Sequence, residues 1–430
     1  MADKSYGASP TTAQVQSAFE IAKDRYAALG VDAERALARL GNISLTLHCW
    51  QGDDVSGFES PDAELGGGIA ATGNYPGKAR TPEELRRDLD RAYSLIPGTH
   101  RLNLHAIYAE TGGQKVERDQ LRPEHFAAWV AWARANKHGL DFNPTLFSHP
   151  LADSGFTLAS YDPGVRQFWV DHCIACRRIG EYFGRELGTT CVTNIWIPDG
   201  LKDTPVDRAT PRRLLTESLD NILAAPVDSK YNLDAVESKL FGLGSESYVV
   251  GSHEFYLGYT IRKQILLCLD SGHFHPTETI ADKISSVLMY VPGIVLHISR
   301  GVRWDSDHVV TFSDDMQAMV REVIAGGYLD RVHIGLDFFD ASINRIAAWI
   351  VGARNVLRAA LVALLEPADQ MRSLEVEGDY TGRLALLEEA KGMPWQAVWD
   401  YFCLQRGVPV GIGFMNEVKA YEERELSSRV

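Results

Sequence analysis

The sequence predicts an α/β protein built as a closed (β/α)8 barrel, in which eight parallel strands alternate with helices. Eight short apolar runs recur along the chain, and stretches with the apolar spacing of helices lie between them. The runs are continuously apolar, as is typical of parallel strands buried on both faces. No glycine-rich phosphate-binding turn follows the first run, which disfavours a doubly wound open sheet, the competing architecture.

The eight predicted strands lie where short apolar runs end in polar or charged residues. They are residues 43–48, 101–105, 140–143, 190–196, 233–236, 265–269, 294–298 and 331–336. The strands are expected to pair in parallel, so their carboxyl ends meet at one mouth of the barrel.

Capping residues and prolines mark the predicted helix starts. Thr81-Pro82 and Asp162-Pro163 are clear examples, opening helices that run to about residue 95 and residue 187. Further helices are expected at 123–136, after Thr210-Pro211, at 276–290 opened by Pro276, from the cap Ser313 to 325, and from the cap Asp340 to 365.

Three segments are expected along the chain. Residues 1–42 form an N-terminal helical segment, residues 43–366 the catalytic barrel, and residues 367–430 a C-terminal helical extension that packs on the barrel or on a neighbouring subunit. The barrel segment exceeds the usual ~250 residues, and long loops account for the excess. One of them, after the first strand, carries the glycine-rich stretch 66–77, and loops of such length are usually functional. The sequence does not show whether it closes over a site.

Composition and charge exclude several classes of protein. The 430 residues include 43 basic and 57 acidic side chains, a net charge of −14, which argues against non-specific nucleic-acid binding. Residues 1–16 lack the apolar core of a signal peptide, and the apolar segment 346–365 is interrupted by Arg354 and Arg358. The six cysteines are scattered, and the Cys173–Cys176 pair has no second pair to complete a zinc site. We therefore expect a cytoplasmic protein with reduced thiols and no membrane span.

Side chains able to bind a cation follow four consecutive predicted strands. Active sites of such barrels lie at the carboxyl ends of the strands, and strands five to eight end at Glu237, Asp270, His297 and Asp337. A single histidine at a strand end is usually structural, but four such ends in succession indicate a metal site. Three carboxylates and one imidazole, without a thiolate, favour Mn²⁺, with Zn²⁺ or Co²⁺ as alternatives.

A second cation site is predicted beside the first. Asp305 and Asp307 follow the seventh strand, and His273 lies three residues beyond Asp270. An Asp-x-Asp pair alone is usually a solvated loop, but with His273 it can hold a second ion. Asp270 is placed to bridge the two ions, as shared carboxylates do in two-metal sites.

The remaining residues of the mouth suit a polyol. Aromatic side chains can pack on the carbon face of a sugar, while polar ones bind its hydroxyl groups, and each aromatic taken alone could equally be core. The candidates are Trp50, His105, Asn143, Phe147, Asn194, Trp196, Glu237 and Lys239. Lys239, two residues past Glu237, would polarise a substrate oxygen or orient a water molecule.

The segments that carry these residues resemble the L-rhamnose isomerases. They are LHCWQGDD (47–54), DAVESKLFG (234–242), CLDSGHFHPTE (268–278), VRWDSDHV (302–309), VHIGLDFFDASINR (332–345) and YTGRLALLEE (380–389). The resemblance extends from the first helix into the tail.

The resemblance implies a xylose-isomerase-like barrel that converts L-rhamnose reversibly to L-rhamnulose in carbohydrate degradation, with related aldoses as slower substrates. It implies two divalent ions per subunit, commonly Mn²⁺, and a homotetramer. One ion would be held by Glu237, Asp270, His297 and Asp337, and the other by His273, Asp305 and Asp307. Asp337, Lys239 and His273 would be catalytic, in a hydride shift from C2 to C1 with a proton relay between the oxygens.

Two other classes of function stay open on the residues alone. One is a different metal-dependent barrel, such as a sugar isomerase, an epimerase or a hydrolase. The other is a non-catalytic protein that binds a sugar or a metal. Two complete ligand sets together with Lys239 argue against the second class, because binding alone does not require a second metal.

Overall fold

The computed structural model describes residues 6–7, 9–59, 69, 71–303 and 305–429, and the side chains of residues 305–307 lie outside this description. Eight parallel strands close into a barrel in the order β1-β12-β9-β8-β6-β4-β3-β2. The barrel strands are β1 (Thr46–His48), β2 (Arg101–His105), β3 (Gly139–Asn143), β4 (Cys191–Trp196), β6 (Asn232–Glu237), β8 (Leu266–Asp270), β9 (Ile294–Ile298) and β12 (Val332–Leu336). The predicted (β/α)8 fold is confirmed.

Two small antiparallel ribbons were not predicted. They pair β5 (Gly200–Leu201) with β7 (Tyr248–Val249), and β10 (Arg300–Val302) with β11 (Asp305–His308). Both ribbons are built within loops that follow barrel strands. Strands of two to four residues are too short to leave a pattern in the sequence.

Helices surround the barrel and precede and follow it. They are α1 (Thr12–Ala27), α2 (Ala33–Leu40), α3 (Pro82–Tyr93), α4 (Ala127–Asn136), α5 (Pro163–Leu187), α6 (Ala209–Ala224), α7 (His253–Lys263), α8 (Ile280–Leu288), α9 (Asp314–Ala325), α10 (Arg345–Leu364), α11 (Ala368–Glu377), α12 (Tyr380–Lys391), α13 (Trp395–Gln405) and α14 (Phe414–Arg424). The N-terminal and C-terminal helices contact each other, since α1 packs on α13 with the rings of Phe19 and Tyr401 stacked 3.9 Å apart.

Three predicted helix starts were wrong. Helix α8 begins at Ile280 rather than Pro276, because residues 271–279 form the loop that carries His273. Helix α10 is capped by Asn344, whose side chain accepts the Ala347 N–H at 2.9 Å. Asp340 instead closes a local turn onto Ser342. Helix α6 begins before Thr210, at Ala209, where the Asp207 carboxylate accepts the first backbone N–H groups.

The barrel core is continuous with α10, which follows β12 in the chain and packs against α9. This helix is long and apolar enough to cross a membrane, but 78% of its apolar window is buried inside the protein. The guanidinium of Arg354 is also buried, and it donates to the Pro409 carbonyl at 2.6 Å. The burial of α10 is that of a core helix.

Strand register determines which side chains share a level at the mouth. Asp270 on β8 pairs with His297 on β9, and Gly335 on β12 pairs with the same histidine. A Cβ at Gly335 would lie 3.2 Å from the His297 ring, so glycine leaves room for the imidazole between the two strands. The register therefore sets the ligand-type side chains of neighbouring strands side by side.

His172 on α5 gives the fold a pH-sensitive interior contact. Its Nε2 accepts the Thr145 N–H at 3.0 Å, so Nδ1 carries the proton and donates to the Arg118 carbonyl at 2.8 Å. Burial lowers the pKa of His172 to about 3. The neutral ring is the only form that satisfies both contacts, because protonation would turn the Nε2 acceptor into a donor.

We expect acid to destabilise the protein partly through His172. A folded-state pKa below the unfolded value of about 6.5 contributes stability above pH 6.5 and loses it as the pH falls toward the folded value. Between pH 7 and pH 5 the loss is about 2 kcal/mol. In His172→Gln, whose amide can make both contacts, the free energy of unfolding measured by urea titration should fall less steeply. The exposed His275→Gln variant is the control, and equal slopes in all three proteins would contradict the prediction.

Candidate active site

Three carboxylates and one imidazole converge at the carboxyl ends of β6, β8, β9 and β12. The Nδ1 atom of His297 lies 3.2 Å from Glu237 Oε2, 3.3 Å from Asp337 Oδ2 and 3.8 Å from Asp270 Oδ2. One ligand atom from each of the four residues lies within 4.8 Å of all the others. The structure thus brings together the four side chains that the sequence indicated for the first cation site.

The carboxylates are oriented by hydrogen bonds on their far oxygens. Asp337 Oδ1 accepts the Trp50 indole N–H at 3.0 Å, and Asp270 Oδ1 accepts the Gly272 backbone N–H at 2.7 Å. The other oxygen of each carboxylate is thereby directed toward His297. Hydrogen bonds of this kind set the direction and basicity of metal ligands.

The cluster fits a divalent cation. Glu237, Asp270 and His297 are each 3% exposed, and burial raises the pKa of Asp270 to about 7 because its charge is removed from water beside other carboxylates. His297 Nδ1 has no well-aligned hydrogen-bond partner among the described residues. A cation about 2.1 Å from each ligand separates neighbouring ligand atoms by about 3 Å, close to the spacing seen here.

Cys268 lies next to this cluster and was missed by sequence reasoning. Its sulfur forms a second tight group with Glu237 and His297. Residues 268 and 270 are on the same face of β8, and this period of two was the available signal. Burial raises the pKa of Cys268 well above its usual value, which disfavours the thiolate. The carboxylate set therefore remains the better match to a hard cation.

Glu237 is contacted by two further polar side chains. The Asn194 amide donates to Oε2 in a short hydrogen bond, and His273 Nδ1 lies 3.2 Å from Oε1. His273 Nδ1 is also 2.8 Å from the Ser238 carbonyl, which can only accept. Nδ1 therefore carries a proton, which leaves Nε2 as the ring nitrogen that would bind a second ion.

The two aspartates expected at the second site lie on β11, which pairs with β10 after the seventh barrel strand. The side chains of Asp305 and Asp307 lie outside the described residues. Their association with His273, and the bridging role of Asp270, stay predictions.

A cavity of about 410 Å³ opens above the cluster. Its lining includes the predicted residues Trp50, His105, Asn143, Phe147, Trp196, Glu237, Lys239, Asp270, His273 and Asp337. Asn194, by contrast, lies beneath the cluster with His297. The volume suits a small molecule, and its floor is the set of carboxylates.

One wall of the cavity is a continuous row of aromatic rings. His105 is edge-on to Trp50 at 4.7 Å and to Phe147 at 5.6 Å, and Phe147 is edge-on to Trp196 at 6.0 Å. The Trp196 indole N–H and the Asn143 amide oxygen have no hydrogen-bond partner among the described residues. The wall therefore combines apolar ring surface with unused polar atoms, as a sugar site requires.

Lys239 lies at the Trp196 end of this wall and is 4% exposed. Burial lowers the pKa of its ammonium to about 8, against the raising effect of Asp199. Its Nζ lies 5.2 Å from the centre of the Trp196 ring. The position is that of a cation held inside the cavity rather than on the protein surface.

Several apolar lining residues were not predicted. They are Val55, Ile69, Leu240, Phe241, Leu243 and Phe339. Val55 has a φ of 61° and follows Asp54 at 58°, a left-handed conformation that is rare for a β-branched residue. A bidentate ion pair between Asp54 and Arg345, with both contacts at 2.7 Å, holds this turn. No local pattern signals such a conformation.

The chain is similar to one protein family over nearly its whole length. The family model described as "RhaA: L-rhamnose isomerase (RhaA)" matches residues 13–429. The L-rhamnose isomerase of Citrobacter koseri is 59% identical over 418 residues, covering 97% of this chain and 100% of the relative. That of Rhodopirellula baltica is also 59% identical, over 415 residues, covering 96% and 97%. A solved L-ribulose 3-epimerase structure is 14% identical, covering 77% of this chain and 98% of its own, with a TM-score of 0.46.

Metal binding at the carboxylate cluster can be tested directly. We expect metal-stripped protein to bind Mn²⁺ in a calorimetric titration. The His297→Gln variant removes a ligand of the carboxylate cluster, so we expect it to lower the Mn²⁺ affinity of that site at least about 100-fold. His105→Gln is the control, because His105 lines the same cavity but lies outside the cluster. This variant should keep the wild-type Mn²⁺ affinity.

Circular dichroism would show that both variants are folded, and Asp270→Asn would repeat the test with a carboxylate ligand. Unchanged Mn²⁺ affinity in both His297→Gln and Asp270→Asn would contradict a cation at this cluster.

Proposed function

The chain belongs to the L-rhamnose isomerase family, and we propose from this that it interconverts L-rhamnose and L-rhamnulose. It is an isomerase of the aldose–ketose type. The observation that carries the proposal is the set of three carboxylates and one imidazole beneath a sugar-sized cavity, in a chain matched by full-length relatives. An epimerase or a non-catalytic sugar-binding protein is not favoured by this match.

The proposal includes two divalent ions per subunit. Glu237, Asp270, His297 and Asp337 would hold the first, and His273, Asp305 and Asp307 the second, with Asp270 shared. Oxygen-rich ligands favour Mn²⁺, with Zn²⁺ or Co²⁺ as the alternative at one of the two sites. When bound, the ions polarise the carbonyl and hydroxyl oxygens at C1 and C2 of the open-chain sugar as Lewis acids.

The side chains of the cavity would hold the sugar for a hydride shift from C2 to C1. Trp50, Phe147 and Trp196 pack against its carbon face, while His105 and Glu237 contact its oxygens. Lys239 and Asp337 relay the proton between O1 and O2. The shift needs no base at carbon, which agrees with the weak basicity of His105, whose pKa burial lowers to about 4.

The apolar end of the cavity suits the methyl group of a 6-deoxy sugar. Val55, Ile69 and Phe339 are apolar lining residues of the cavity, and Val55 is 3% exposed. A hydroxymethyl group placed there would lose hydrogen bonds to water without gaining new ones. We therefore assign this end to C6 of L-rhamnose.

We further propose that the enzyme is a cytoplasmic homotetramer in which residues 367–430 serve assembly. Helix α12 contributes no buried residue, and Tyr380 and Leu384 on it are 65% and 54% exposed. All six cysteines are free and buried, which agrees with a reducing compartment. Sedimentation equilibrium of the full chain measures the oligomeric state.

The hydride shift predicts that L-rhamnose labelled with deuterium at C2 keeps its label in L-rhamnulose formed in ordinary water. NMR of the product locates the label at C1. Substrate labelled at C3 is the control, because neither route exchanges that position. Loss of the C2 label to solvent would instead indicate an enediol route with a side-chain base such as His105.

We expect Val55→Thr to weaken discrimination between L-rhamnose and L-mannose, its 6-hydroxy analogue. Threonine has nearly the shape of valine and is also β-branched, so it makes the same demands on the backbone conformation. It adds a hydroxyl group that can form a hydrogen bond with the 6-OH. The ratio of the two kcat/KM values should fall about 3- to 10-fold. Val249→Thr alters a buried valine that does not line the cavity and should keep the wild-type ratio. An unchanged ratio in Val55→Thr would place C6 elsewhere.

A further inference from the structure

We propose that Arg118 is a positioning residue that fixes the aromatic wall of the cavity through the loop after β3. The proposal rests on the proposed function, since it assigns the wall a role in holding the sugar. Arg118 lies in a 3₁₀ turn, Arg118–Gln120, between β2 and α4, and is 2% exposed. It touches neither the carboxylate cluster nor the cavity, so its effect must pass through other residues.

All five N–H groups of the Arg118 guanidinium have acceptors. Nη1 donates to the carbonyls of Thr145 at 2.8 Å and Phe147 at 2.6 Å, and Nη2 donates to that of Ser148 at 3.0 Å. Nε and the second Nη2 hydrogen bind the Glu59 carboxylate at 3.1 and 2.7 Å. A planar fork with five fixed donors is needed for this set, and lysine cannot supply it.

The loop held by these bonds is strained. Ser148 has a φ of 50°, the left-handed region that a serine rarely occupies. Such a conformation persists only where surrounding contacts impose it. Here the hydrogen bonds to the carbonyls of residues 145, 147 and 148 hold the chain in the turn from which Phe147 lines the cavity.

His172 forms a second set of hydrogen bonds between the Arg118 segment and the same loop. The Arg118 carbonyl accepts from His172 Nδ1, and His172 Nε2 accepts from the Thr145 N–H. Thr145 Oγ1 then lies 3.1 Å from His105 Nδ1. Arg118 thus orders both Phe147 and His105, two neighbouring rings of the wall.

Glu59 extends the arrangement to the loop after β1. This carboxylate is 31% exposed and forms an ion pair with Arg118 at 2.7 Å. The loop after β1 also carries Trp50 and Val55, which line the cavity. The guanidinium therefore joins the two loops that form adjacent parts of the sugar wall.

The test compares Arg118→Lys with the wild type, both loaded with Mn²⁺. We expect KM for L-rhamnose and the calorimetric Kd for L-rhamnitol, the unreactive alditol, to rise about tenfold. We expect kcat to change less than about threefold, because the carboxylate cluster and Lys239 have separate supports. Mn²⁺ affinity should stay unchanged.

Arg177→Lys is the matched control. Arg177 is also buried, and it makes a comparable set of bonds to Asp234 and two backbone carbonyls, away from the cavity. We expect it to lower Tm, as Arg118→Lys does, without altering KM or Kd. A purely structural role for Arg118 would make the two variants alike, and that result would overturn the proposal.

A double-mutant cycle with Phe147→Ala identifies the path. If Arg118 acts through the wall, the effect of Arg118→Lys on the L-rhamnitol Kd should be clearly smaller than tenfold in the Phe147→Ala background, with His105 carrying the remainder. A full tenfold loss in that background would overturn the proposal. A wild type that binds L-rhamnitol yet forms no ketose would overturn the proposed reaction alone, and the calorimetric comparison would still decide the role of Arg118.

Discussion

The convergence of three carboxylates on one buried imidazole nitrogen is the constraint on which the rest of the site depends. Glu237, Asp270 and Asp337 place three acidic groups within a few ångströms of one another, and Glu237 and Asp270 are almost out of contact with water. Such an arrangement is unfavourable by itself, because burial and repulsion both oppose ionisation. A cation offsets both costs. The parallel register of β6, β8, β9 and β12 holds the ligand-type residues at one level, so the barrel itself imposes the arrangement.

The donors around the cluster connect this electrostatic constraint to the cavity. Trp50 has two contacts of different kind, since its indole N–H binds Asp337 while its ring meets His105 edge-on. The direction of a carboxylate and the position of the aromatic wall are thus determined by one side chain. A substitution at Trp50 would alter cation geometry and sugar packing together.

The two halves of the barrel have different tasks. Strands β6 to β12 supply the charged ligands, whereas the loops after β1 to β4 supply most of the aromatic and apolar lining. Among the loops after β1 to β4, two turns have a strained backbone. The turn at Val55 lines the cavity, and the turn at Ser148 supports it. Each is held by a buried arginine, Arg345 in one case and Arg118 in the other. Loops lack the regular backbone hydrogen bonds of strands and helices. In these two loops, hydrogen bonds from planar guanidinium groups hold the backbone instead.

The sequence by itself determined the barrel and much of its mouth, because both depend on local signals. Continuous apolar runs located the eight strands to within a few residues, and the residue after each run identified Glu237, Asp270, His297 and Asp337 as neighbours. The period of two could also have indicated Cys268, which lies on the same strand face as Asp270. Helix starts were less predictable, as at Pro276 and Asp340, because a loop that holds a functional side chain can override a capping signal.

Only the tertiary structure decided the contacts that join distant loops. The ion pair of Arg118 with Glu59 joins the loops after β1 and β2. The ion pair of Arg345 with Asp54 joins the chain after β12 to the loop after β1. The left-handed conformations of Val55 and Ser148 follow from these contacts and not from residue preference. Their physical cause is long-range packing, which leaves no periodic trace along the chain.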